Sequence, residues 1–292
     1  MSRVVLLDGG MGQELVHRAC DAPTTLWATQ VMVDHPGMVA EVHRDYADAG
    51  ASVATVNSYA LHKDRFTGTA MEGRQAELVA LALAEVAAVR GRVARIAGAI
   101  GPLVTTYKPE THPARDVAVP LYAELARLLA PGVDLILCES VASVAHAEAV
   151  LEGARAGGLP VWLSVTVDDA DGALLRSGEP VVALDGLGPE AWLANCSAPE
   201  AMAAALRAFR EFGVPFGAYA NGFTQITKEY LADKSLTVTA LKSRQISPES
   251  YAGTVMGWVE MGATIVGGCC EIGPAHIAEI ARRLRAAGHE IV

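Results

Sequence analysis

The sequence alternates between short apolar runs and longer segments with helical periodicity, and this unit repeats eight times along the chain. The apolar runs lack polar alternation, which is typical of strands buried on both faces of a parallel sheet. Successive strand–helix units need parallel strands joined by right-handed crossovers, and eight such units close into a barrel. The alternation therefore predicts an α/β fold, a (β/α)8 TIM barrel that forms a single domain over residues 1–292.

Turn signals set the bounds of each predicted element. The predicted strands cover residues 4–7, 52–56, 93–100, 133–138, 161–165, 191–194, 214–219 and 263–266. The predicted helices cover residues 36–50, 72–89, 121–130, 142–156, 198–212, 248–261 and 274–287, with a weaker helical piece near Val181. Residues 222–247 have no clean period, and loops of that length are usually functional lids or flexible segments. We therefore expect this stretch to be a candidate lid.

Composition and charge exclude several classes of protein. Hydrophobic residues make up 51% of the chain and charged residues 19%, so a large core is available and we do not expect disorder. The net charge of −10, with no basic stripe, argues against a nucleic acid partner. No apolar run approaches the ~20 residues that cross a bilayer, and no signal peptide is visible, so we expect no membrane partner. The sequence leaves a homo-oligomer open.

The cysteines indicate the redox environment. There are five of them, an odd number, and their spacing matches no small-disulfide framework. Unpaired thiols are typical of a reducing compartment, so we expect the cytoplasm. Cys138 lies in an apolar run and is predicted to pack in the core, whereas Cys20 is predicted to be an unpaired loop thiol.

Polar residues and thiols follow most of the predicted strands. In a (β/α)8 barrel the carboxyl ends of all strands share one face, and sites are built there. Three thiols, two carboxylates and several amides should therefore converge at this face. The residues that we expect there are Asp8, Asn57, Ser58, Tyr59, Glu139, Asn195, Cys196, Asn221, Cys269 and Cys270.

The thiols at these strand ends predict a metal site. Cys269 and Cys270 are adjacent, and neighbouring thiols form a strained disulfide but can point at one soft metal ion. Gly267 and Gly268 precede them and are expected to let the backbone turn sharply. With Cys196 as a third ligand, the set is typical of zinc with one open coordination position. The alternative is that all three are buried, inert thiols.

Two carboxylates and a glycine-rich turn each have a second interpretation. Asp8 could contact a ligand or cap the following helix, and Glu139 could contact a ligand or pair with an arginine. Gly10 and Gly12 resemble the start of a dinucleotide fingerprint. Leu15 occupies the third glycine position, however, and Asp8 would repel a pyrophosphate, so we reject a dinucleotide site.

Several motifs together resemble the homocysteine S-methyltransferase family. They are the stretch from Leu7 to Leu15 (LDGGMGQEL), Asn57-Ser58-Tyr59, Gly101-Pro102, Asn195-Cys196, and Gly267-Gly268-Cys269-Cys270 followed by Pro274, His276 and Ile277. The resemblance covers nearly the whole chain, and the combination of Asn-Cys with Gly-Gly-Cys-Cys is its most specific part.

The resemblance implies a (β/α)8 barrel in which Cys196, Cys269 and Cys270 hold zinc. It implies that Asp8 and Glu139 help to bind homocysteine, and that Trp27 lies near the methyl donor. Backbone N–H groups of Gly9 and Gly10, or near Asn57, would receive the homocysteine carboxylate. The chain is similar to compact, S-methylmethionine-type members. It departs from the family at residues 140–142 and at Glu271, where a small residue is common.

The predicted function is zinc-dependent methyl transfer from a small onium donor, above all S-methylmethionine, to the thiol of homocysteine, which gives methionine. Alternatives within the family are betaine, S-adenosylmethionine or another donor, and another thiol or selenol acceptor. A metal-dependent lyase or aldolase is a rival function, but it would normally use histidine and carboxylate ligands with a basic phosphate site. Neither feature is visible in the sequence. A non-catalytic zinc-storage or redox-sensing thiol protein is the remaining alternative.

Overall fold

A curled sheet of parallel strands forms the centre of the protein. The computed structural model describes residues 2–22, 24–223, 226 and 244–292. Within these residues the sheet has nine strands, all paired in parallel. They are β1 (Arg3–Leu6), β2 (Val53–Thr55), β3 (Arg95–Ile100), β4 (Leu135–Val141), β5 (Val161–Val165), β6 (Ala191–Asn195), β7 (Phe216–Tyr219), β8 (Ile265–Val266) and β9 (Glu290–Ile291).

The first and second strands close the sheet into a barrel. Strands β2 to β8 follow one another in sequence order, and β8 pairs with β1. A parallel bridge joins Leu7 to Val53, and the backbone N–H of Ser52 donates to the carbonyl of Leu6 at 2.7 Å. The predicted (β/α)8 barrel is therefore confirmed. Strand β9, which the sequence did not predict, pairs with the amino-terminal half of β1.

Helices cover the outside of the barrel. They are α1 (Met11–Ala19), α2 (Trp27–Asp34), α3 (Met38–Asp48), α4 (Lys63–Phe66), α5 (Gln75–Val86), α6 (Arg115–Leu129), α7 (Val144–Ala154), α8 (Met202–Phe209), α9 (Pro248–Glu260) and α10 (Pro274–Ala286). Helix α6 starts at Arg115, before its predicted bound, and includes Pro120. The predicted start was too late because a proline normally lies at the beginning of a helix and not inside it. The piece near Val181 is a short 3-10 turn, Val181–Leu184.

Two apolar layers hold the barrel together. Alternate residues of each strand point inward or outward, so Leu135 and Leu137 belong to the inner layer while Ile136 and Cys138 pack towards the helices. The placement of Cys138 in the core is confirmed. The inner layer consists of Val5, Leu7, Val53, Ala97, Leu135, Leu137, Trp162, Ala191, Leu193, Tyr219 and Ile265.

Strand β4 is irregular where it reaches the site. The sequence predicted its end at Cys138, but the strand continues to Val141 with a break in register against β5 between Cys138 and Val141. Ser140 has a positive φ of 58° inside this irregularity. Irregularities of this kind redirect side chains, and this one leaves Glu139 facing the mouth of the barrel.

No helix in the described ranges is both long and apolar enough to cross a membrane. The candidate lid, residues 222–247, lies mostly outside the described residues, since residues 224–225 and 227–243 are not among them.

Candidate active site

A cavity of about 620 Å³ opens at the carboxyl ends of the strands. This volume lies in the range of pockets that bind small molecules. Most of the residues predicted for the site line it, namely Asp8, Gly9, Gly10, Trp27, Asn57, Tyr59, Glu139, Asn195, Cys196, Cys269 and Cys270. The strand-end pattern in the sequence therefore places these residues around one cavity.

Ser58 and Asn221 lie beside the cavity rather than on its wall. The Ser58 hydroxyl is fully buried and donates to the carbonyl of Ala99 at 2.8 Å. Asn221 is also buried, and its Oδ1 accepts the backbone N–H of Phe223 at 3.2 Å. Both side chains support loops at the barrel mouth, and their role in substrate binding stays a prediction.

Three cysteine sulfurs meet at one end of the cavity. Sγ of Cys196 lies 2.8 Å from Sγ of Cys269 and 3.9 Å from Sγ of Cys270. All three sulfurs lie within 4.8 Å of one another, and the five cysteines of the chain are free thiols. Cys196 follows β6 with a positive φ of 51°, a conformation that non-glycine residues seldom adopt. The local backbone thus turns the Cys196 thiol towards the pair.

The glycines before the cysteine pair are required for close packing. A Cβ on Gly268 would lie 2.2 Å from Cγ2 of Ile272, and one on Gly267 would lie 2.6 Å from Cβ of Leu7. Neither glycine has a positive φ, so the expected sharp turn is not the reason for their presence. Their missing side chains let the 267–272 turn lie directly against its neighbours.

The thiol cluster fits a thiophilic cation. Hydrogen bonds from Cys269 and Cys270 lower the pKa of Cys196, while the neighbouring Cys196 sulfur raises the pKa of the other two thiols. Cys196 is therefore the thiol that ionises most readily, and a central cation would allow all three thiols to ionise. Two sulfurs on one tetrahedral zinc lie roughly 3.8 Å apart, from Zn–S bonds of about 2.3 Å. The Cys196–Cys270 separation of 3.9 Å agrees with that spacing, whereas the Cys196–Cys269 separation is shorter.

Asp8 is held rigidly at the floor of the cavity. Its Oδ2 accepts the backbone N–H of Thr55 at 2.6 Å, and its Oδ1 accepts the Thr55 hydroxyl at 2.7 Å. Helix α1 has Gly10 at its N-cap position, so the alternative that Asp8 caps this helix is wrong. Burial raises the pKa of Asp8 to about 7, although the Thr55 hydrogen bonds act in the opposite direction. A cation in the cavity would favour its ionised form.

Glu139 presents the second carboxyl group. Its Oε1 accepts the hydroxyl of Tyr219 at 2.9 Å, so its partner is a tyrosine rather than the arginine of the alternative interpretation. Burial raises the pKa of Glu139 to about 8, the Tyr219 hydrogen bond lowers it, and the Cys196 and Asp8 charges raise it further. Two carboxyl groups with raised pKa values in one cavity are typical of a site that receives a cation.

Asn195 fixes the irregular end of β4. Its Oδ1 accepts the backbone N–H of Ser140 at 2.9 Å and the hydroxyl of Ser164 at 2.8 Å. Its Nδ2 donates to Oγ of Ser140 at 3.2 Å and lies 3.9 Å from Sγ of Cys269. The Asn-Cys pair of the sequence therefore has two tasks, since Cys196 joins the thiol cluster while Asn195 positions the neighbours of Glu139.

Aromatic side chains form part of the cavity wall. The rings of Trp27 and Tyr59 meet edge to face with centroids 6.3 Å apart, and the Tyr59 hydroxyl bonds to Thr106 at 2.9 Å. Asn57 ties this wall to α2 because its Nδ2 donates to the carbonyl of Ala28 at 3.3 Å. An aromatic wall of this kind suits a cationic ligand.

Gly9 and Gly10 pack against the turn that carries the cysteine pair. A Cβ on Gly9 would lie 2.0 Å from the carbonyl oxygen of Ile272, and one on Gly10 would lie 2.5 Å from that of Cys269. The N–H of Gly10 already donates to the carbonyl of Ile272 at 3.0 Å. These glycines bring α1 against the thiol cluster, and their contact with a substrate carboxylate stays a prediction.

Sequence reasoning missed three residues that shape the site. Thr55 and Tyr219 hold the two carboxyl groups, and Tyr107 packs with Cys196 and Cys270 in a small buried cluster. Tyr219 ends a predicted strand, and a tyrosine at that position could have indicated a polar contact at the barrel mouth. The sequence around Tyr107 carries no comparable signal.

The fold and the site together define a class: a (β/α)8 barrel with a three-thiol centre and two carboxyl groups at its carboxyl-terminal face. Comparison with known proteins makes the class specific. A sequence model described as homocysteine S-methyltransferase matches residues 5–284, and the chain belongs to this family. The resemblance seen in the sequence motifs is therefore confirmed.

Individual relatives match over nearly their whole length. Homocysteine S-methyltransferase from Escherichia coli (strain K12) is 30% identical over 314 residues, covering 96% of this chain and 95% of the relative. Homocysteine S-methyltransferase YbgG from Bacillus subtilis (strain 168) is 25% identical, covering 95% and 93%. The crystal structure of the homocysteine methyltransferase MmuM from Escherichia coli in its metallated form has a TM-score of 0.79 at 25% identity, covering 96% of each chain.

Proposed function

We propose that this protein transfers a methyl group from S-methylmethionine, or a closely related small onium donor, to the thiol of homocysteine and so produces methionine. The observation that carries the proposal is one cavity containing three convergent thiols and two carboxyl groups in a member of this family. Relatives that match over nearly their full length are homocysteine S-methyltransferases by name. The proposed unit is one homocysteine-binding barrel domain over residues 1–292.

Cys196, Cys269 and Cys270 are the residues that would hold zinc. When bound, zinc supplies an open position for a further sulfur and lowers the pKa of a thiol there, which makes a nucleophile at neutral pH. A relative with the same fold is known in a metallated form. The free thiols of this chain also suit a reducing compartment such as the cytoplasm, which we propose as its location.

Asp8 and Glu139 are proposed to bind the ammonium group of homocysteine. Each carboxyl group has a raised pKa because it is buried, with no cationic partner among the residues that the structure describes, so an arriving ammonium group stabilises the ionised form of both. Thr55 and Tyr219 hold the two groups in place before the substrate arrives. Preorganised charge of this kind reduces the cost of orienting the acceptor.

The charge balance of the reaction suits an enclosed cavity. The bond between the methyl carbon and the donor sulfur breaks as a bond between that carbon and the homocysteine sulfur forms. A thiolate and a sulfonium thereby become two neutral thioethers. Opposite charges disappear along this path, so a site with little water favours the transition state. Met11, Val31 and Val56 are among the apolar residues that line the cavity.

The lining residues favour a cationic donor. Among the described residues, Asp8, Asp21, Asp34 and Glu139 line the cavity, against the single guanidinium group of Arg65. Trp27 and Tyr59 add an aromatic wall, and an aromatic face over a cation contributes roughly 0.5–2 kcal/mol. These features support an onium donor over a nucleotide or a folate, which would bring additional negative charge.

A donor panel tests the proposal. Zinc-loaded protein is incubated with homocysteine and, separately, S-methylmethionine, betaine, S-adenosylmethionine or methyltetrahydrofolate, and methionine is measured by mass spectrometry. We expect methionine with S-methylmethionine and none with the Cys269→Ala variant. Turnover only with another donor would contradict the donor assignment. Absence of methionine with every donor would contradict the function and favour a zinc or thiol protein without catalysis.

A further inference from the structure

Trp27 has a backbone conformation that is unfavourable for a tryptophan. It is the first residue of α2 and has a positive φ of 47°, although bulky residues seldom occupy this region. Such backbone strain persists only where surrounding contacts stabilise it, and it is concentrated at functional sites. The contacts that stabilise Trp27 therefore indicate its functional role.

The indole of Trp27 packs directly against Gly12. A Cβ at Gly12 would lie 2.1 Å from Cη2 of Trp27 and 2.3 Å from its Cζ2. The indole thus lies directly on the backbone of α1, and a larger residue at position 12 would force it outward. This contact fixes the depth of the ring but not its rotation.

Gln13 fixes the rotation. The indole N–H of Trp27 donates to Oε1 of Gln13 at 3.0 Å, and Nε2 of Gln13 donates to Oε1 of Glu271 at 2.8 Å. Indole is only a donor and a carboxylate is only an acceptor, so the amide between them has a single orientation that satisfies both. Gln13 is 5% exposed and does not line the cavity, so it acts through Trp27.

Glu271 connects the hydrogen bonds of Trp27 and Gln13 to the segment that carries the thiol cluster. It directly follows Cys270, has a positive φ of 67°, and lies 3.5 Å from Nε2 of His17 through its Oε1. Its side chain points to Gln13 and does not line the cavity. The family departure at this position therefore has a structural use, because a small residue there could not orient the Gln13 amide.

We propose that Gln13, oriented by Glu271, is a positioning residue. It sets the angle of the Trp27 indole in the part of the cavity that Trp27 lines, where the methyl donor is proposed to bind. This inference rests on the proposed function in so far as the donor binds at Trp27. Homocysteine, assigned to Asp8 and Glu139, should be little affected. Gln13 and Glu271 therefore tune recognition of the donor independently of the acceptor.

The kinetic test uses Gln13→Met, which keeps the size of the side chain and removes both hydrogen bonds. We expect KM for S-methylmethionine to rise about five- to tenfold, the worth of roughly one hydrogen bond. KM for homocysteine should change less than about twofold on the same scale. Glu271→Ala should act in the same direction. Glu271→Gln should restore most of the donor affinity, because its amide oxygen can still accept from Gln13. Zinc content is measured for every variant.

Gln75→Met is the matched control. Gln75 is 4% exposed, makes one hydrogen bond to the carbonyl of Leu61 at 2.8 Å, and does not line the cavity. Its substitution removes a buried glutamine of equal size, so it should reproduce any general loss of stability but leave both KM values unchanged. Equal effects of the two glutamine variants on donor KM would overturn the proposal.

A spectroscopic measurement separates this inference from the proposed function. The chain has four tryptophans, so the emission of Trp27 is obtained by subtracting the spectrum of Trp27→Phe in each background. We expect Gln13→Met and Glu271→Ala to change this emission and increase its quenching by acrylamide, and Glu271→Gln to preserve it. An unchanged Trp27 signal in Gln13→Met would overturn the proposal. If the wild type fails to turn over S-methylmethionine, the proposed function fails while this measurement still decides whether Gln13 positions Trp27.

Discussion

The hydroxyl of Tyr219, at the end of β7, donates a hydrogen bond of 2.9 Å to Oε1 of Glu139 on β4. The bond joins two strands that are not neighbours in the sheet. Burial alone pushes the pKa of Glu139 upward, and the Tyr219 bond opposes this because it stabilises the ionised carboxylate. Tyr219 therefore keeps Glu139 able to ionise close to neutral pH, where an ammonium group can bind.

The first prediction concerns the pH dependence of homocysteine binding in Tyr219→Phe. Binding of an ammonium group needs ionised Glu139, so affinity should fall as pH drops below about 8. Without the Tyr219 hydrogen bond the pKa of Glu139 rises further, which should move this acid limb upward by about one pH unit. Calorimetric titration with homocysteine between pH 6 and pH 9 measures the shift. Tyr122→Phe is the control, because Tyr122 bonds to His112 and His146 away from the cavity. The same acid limb in wild type and Tyr219→Phe would contradict the assigned role.

The second prediction concerns stability and follows from the same carboxyl group. The folded protein keeps the Glu139 proton up to about pH 8, whereas an ordinary glutamate loses it near 4.5. Between these values the folded state binds more protons than the unfolded state, so its stability decreases as pH rises. Glu139→Gln removes this loss. The metal-free, reduced variant should unfold a few degrees higher than wild type at pH 8.5, where about 1 kcal/mol corresponds to roughly 2–4 °C.

At pH 5 the advantage of Glu139→Gln should largely disappear, because the folded wild type is then neutral at this position. Thermal unfolding followed by circular dichroism at the two pH values is sufficient. The same variant should bind homocysteine more weakly, which is the expected conflict between stability and function at a binding site. An equal gain at both pH values would show that ionisation is not the cause.

The sequence predicted the barrel because strands buried on both faces leave short, uninterrupted apolar runs, and these alternate regularly with segments of helical periodicity. It missed β9 and α2 for local reasons. Strand β9 has only two residues. Helix α2 begins at Trp27, which has a left-handed backbone conformation, and no capping motif in the sequence predicts a helix start there. Short or strained elements are specified by tertiary contacts, which periodicity does not contain.

The candidate site was predictable to the extent that strand ends share one face. This reasoning brought Cys196 together with the cysteine pair, but it could not give side-chain direction. The Ser58 N–H donates to the carbonyl of Val56 in a tight turn, and that turn sends its hydroxyl to the backbone of β3 instead of the cavity. Contacts such as Thr55 to Asp8 join residues 47 positions apart, so they follow from the closed barrel and not from any local motif.

The third prediction concerns the metal. Wild-type protein should bind about one zinc per chain, and alanine at Cys196, Cys269 or Cys270 should weaken zinc binding and abolish methyl transfer, because three thiolates are the proposed ligands. Metal content by mass spectrometry and chelator competition measure this. Cys138→Ala is a matched control, since Cys138 is also a buried thiol but packs between the barrel and the helices. Full zinc occupancy in a Cys269→Ala/Cys270→Ala double variant would exclude this site.

The last prediction concerns a buried ion pair that contacts the segment following Cys196. The guanidinium group of Arg176 lies 2.8 Å from Oδ1 of Asp169, with side-chain exposures of 2% and 1%. Asp169 also accepts the backbone N–H groups of Ala198 at 2.8 Å and Ile226 at 2.6 Å, and Arg176 stacks over the ring of Tyr107 at 5.6 Å. The pair therefore anchors the backbone at two points, two residues after Cys196 and at residue 226.

Arg176→Met should leave the charge of Asp169 buried without a partner, which typically costs 3–5 kcal/mol, or roughly 10 °C in melting temperature. The double variant Arg176→Met/Asp169→Asn should recover much of this stability, because asparagine is neutral and its amide oxygen can still accept a backbone N–H. Thermal unfolding of both variants gives the comparison, and chelator competition shows whether zinc affinity falls with the anchoring of Ala198. If the single and double variants unfold at the same temperature, the unpaired charge is not the source of the cost. The ion pair would then contribute through packing against Tyr107 instead.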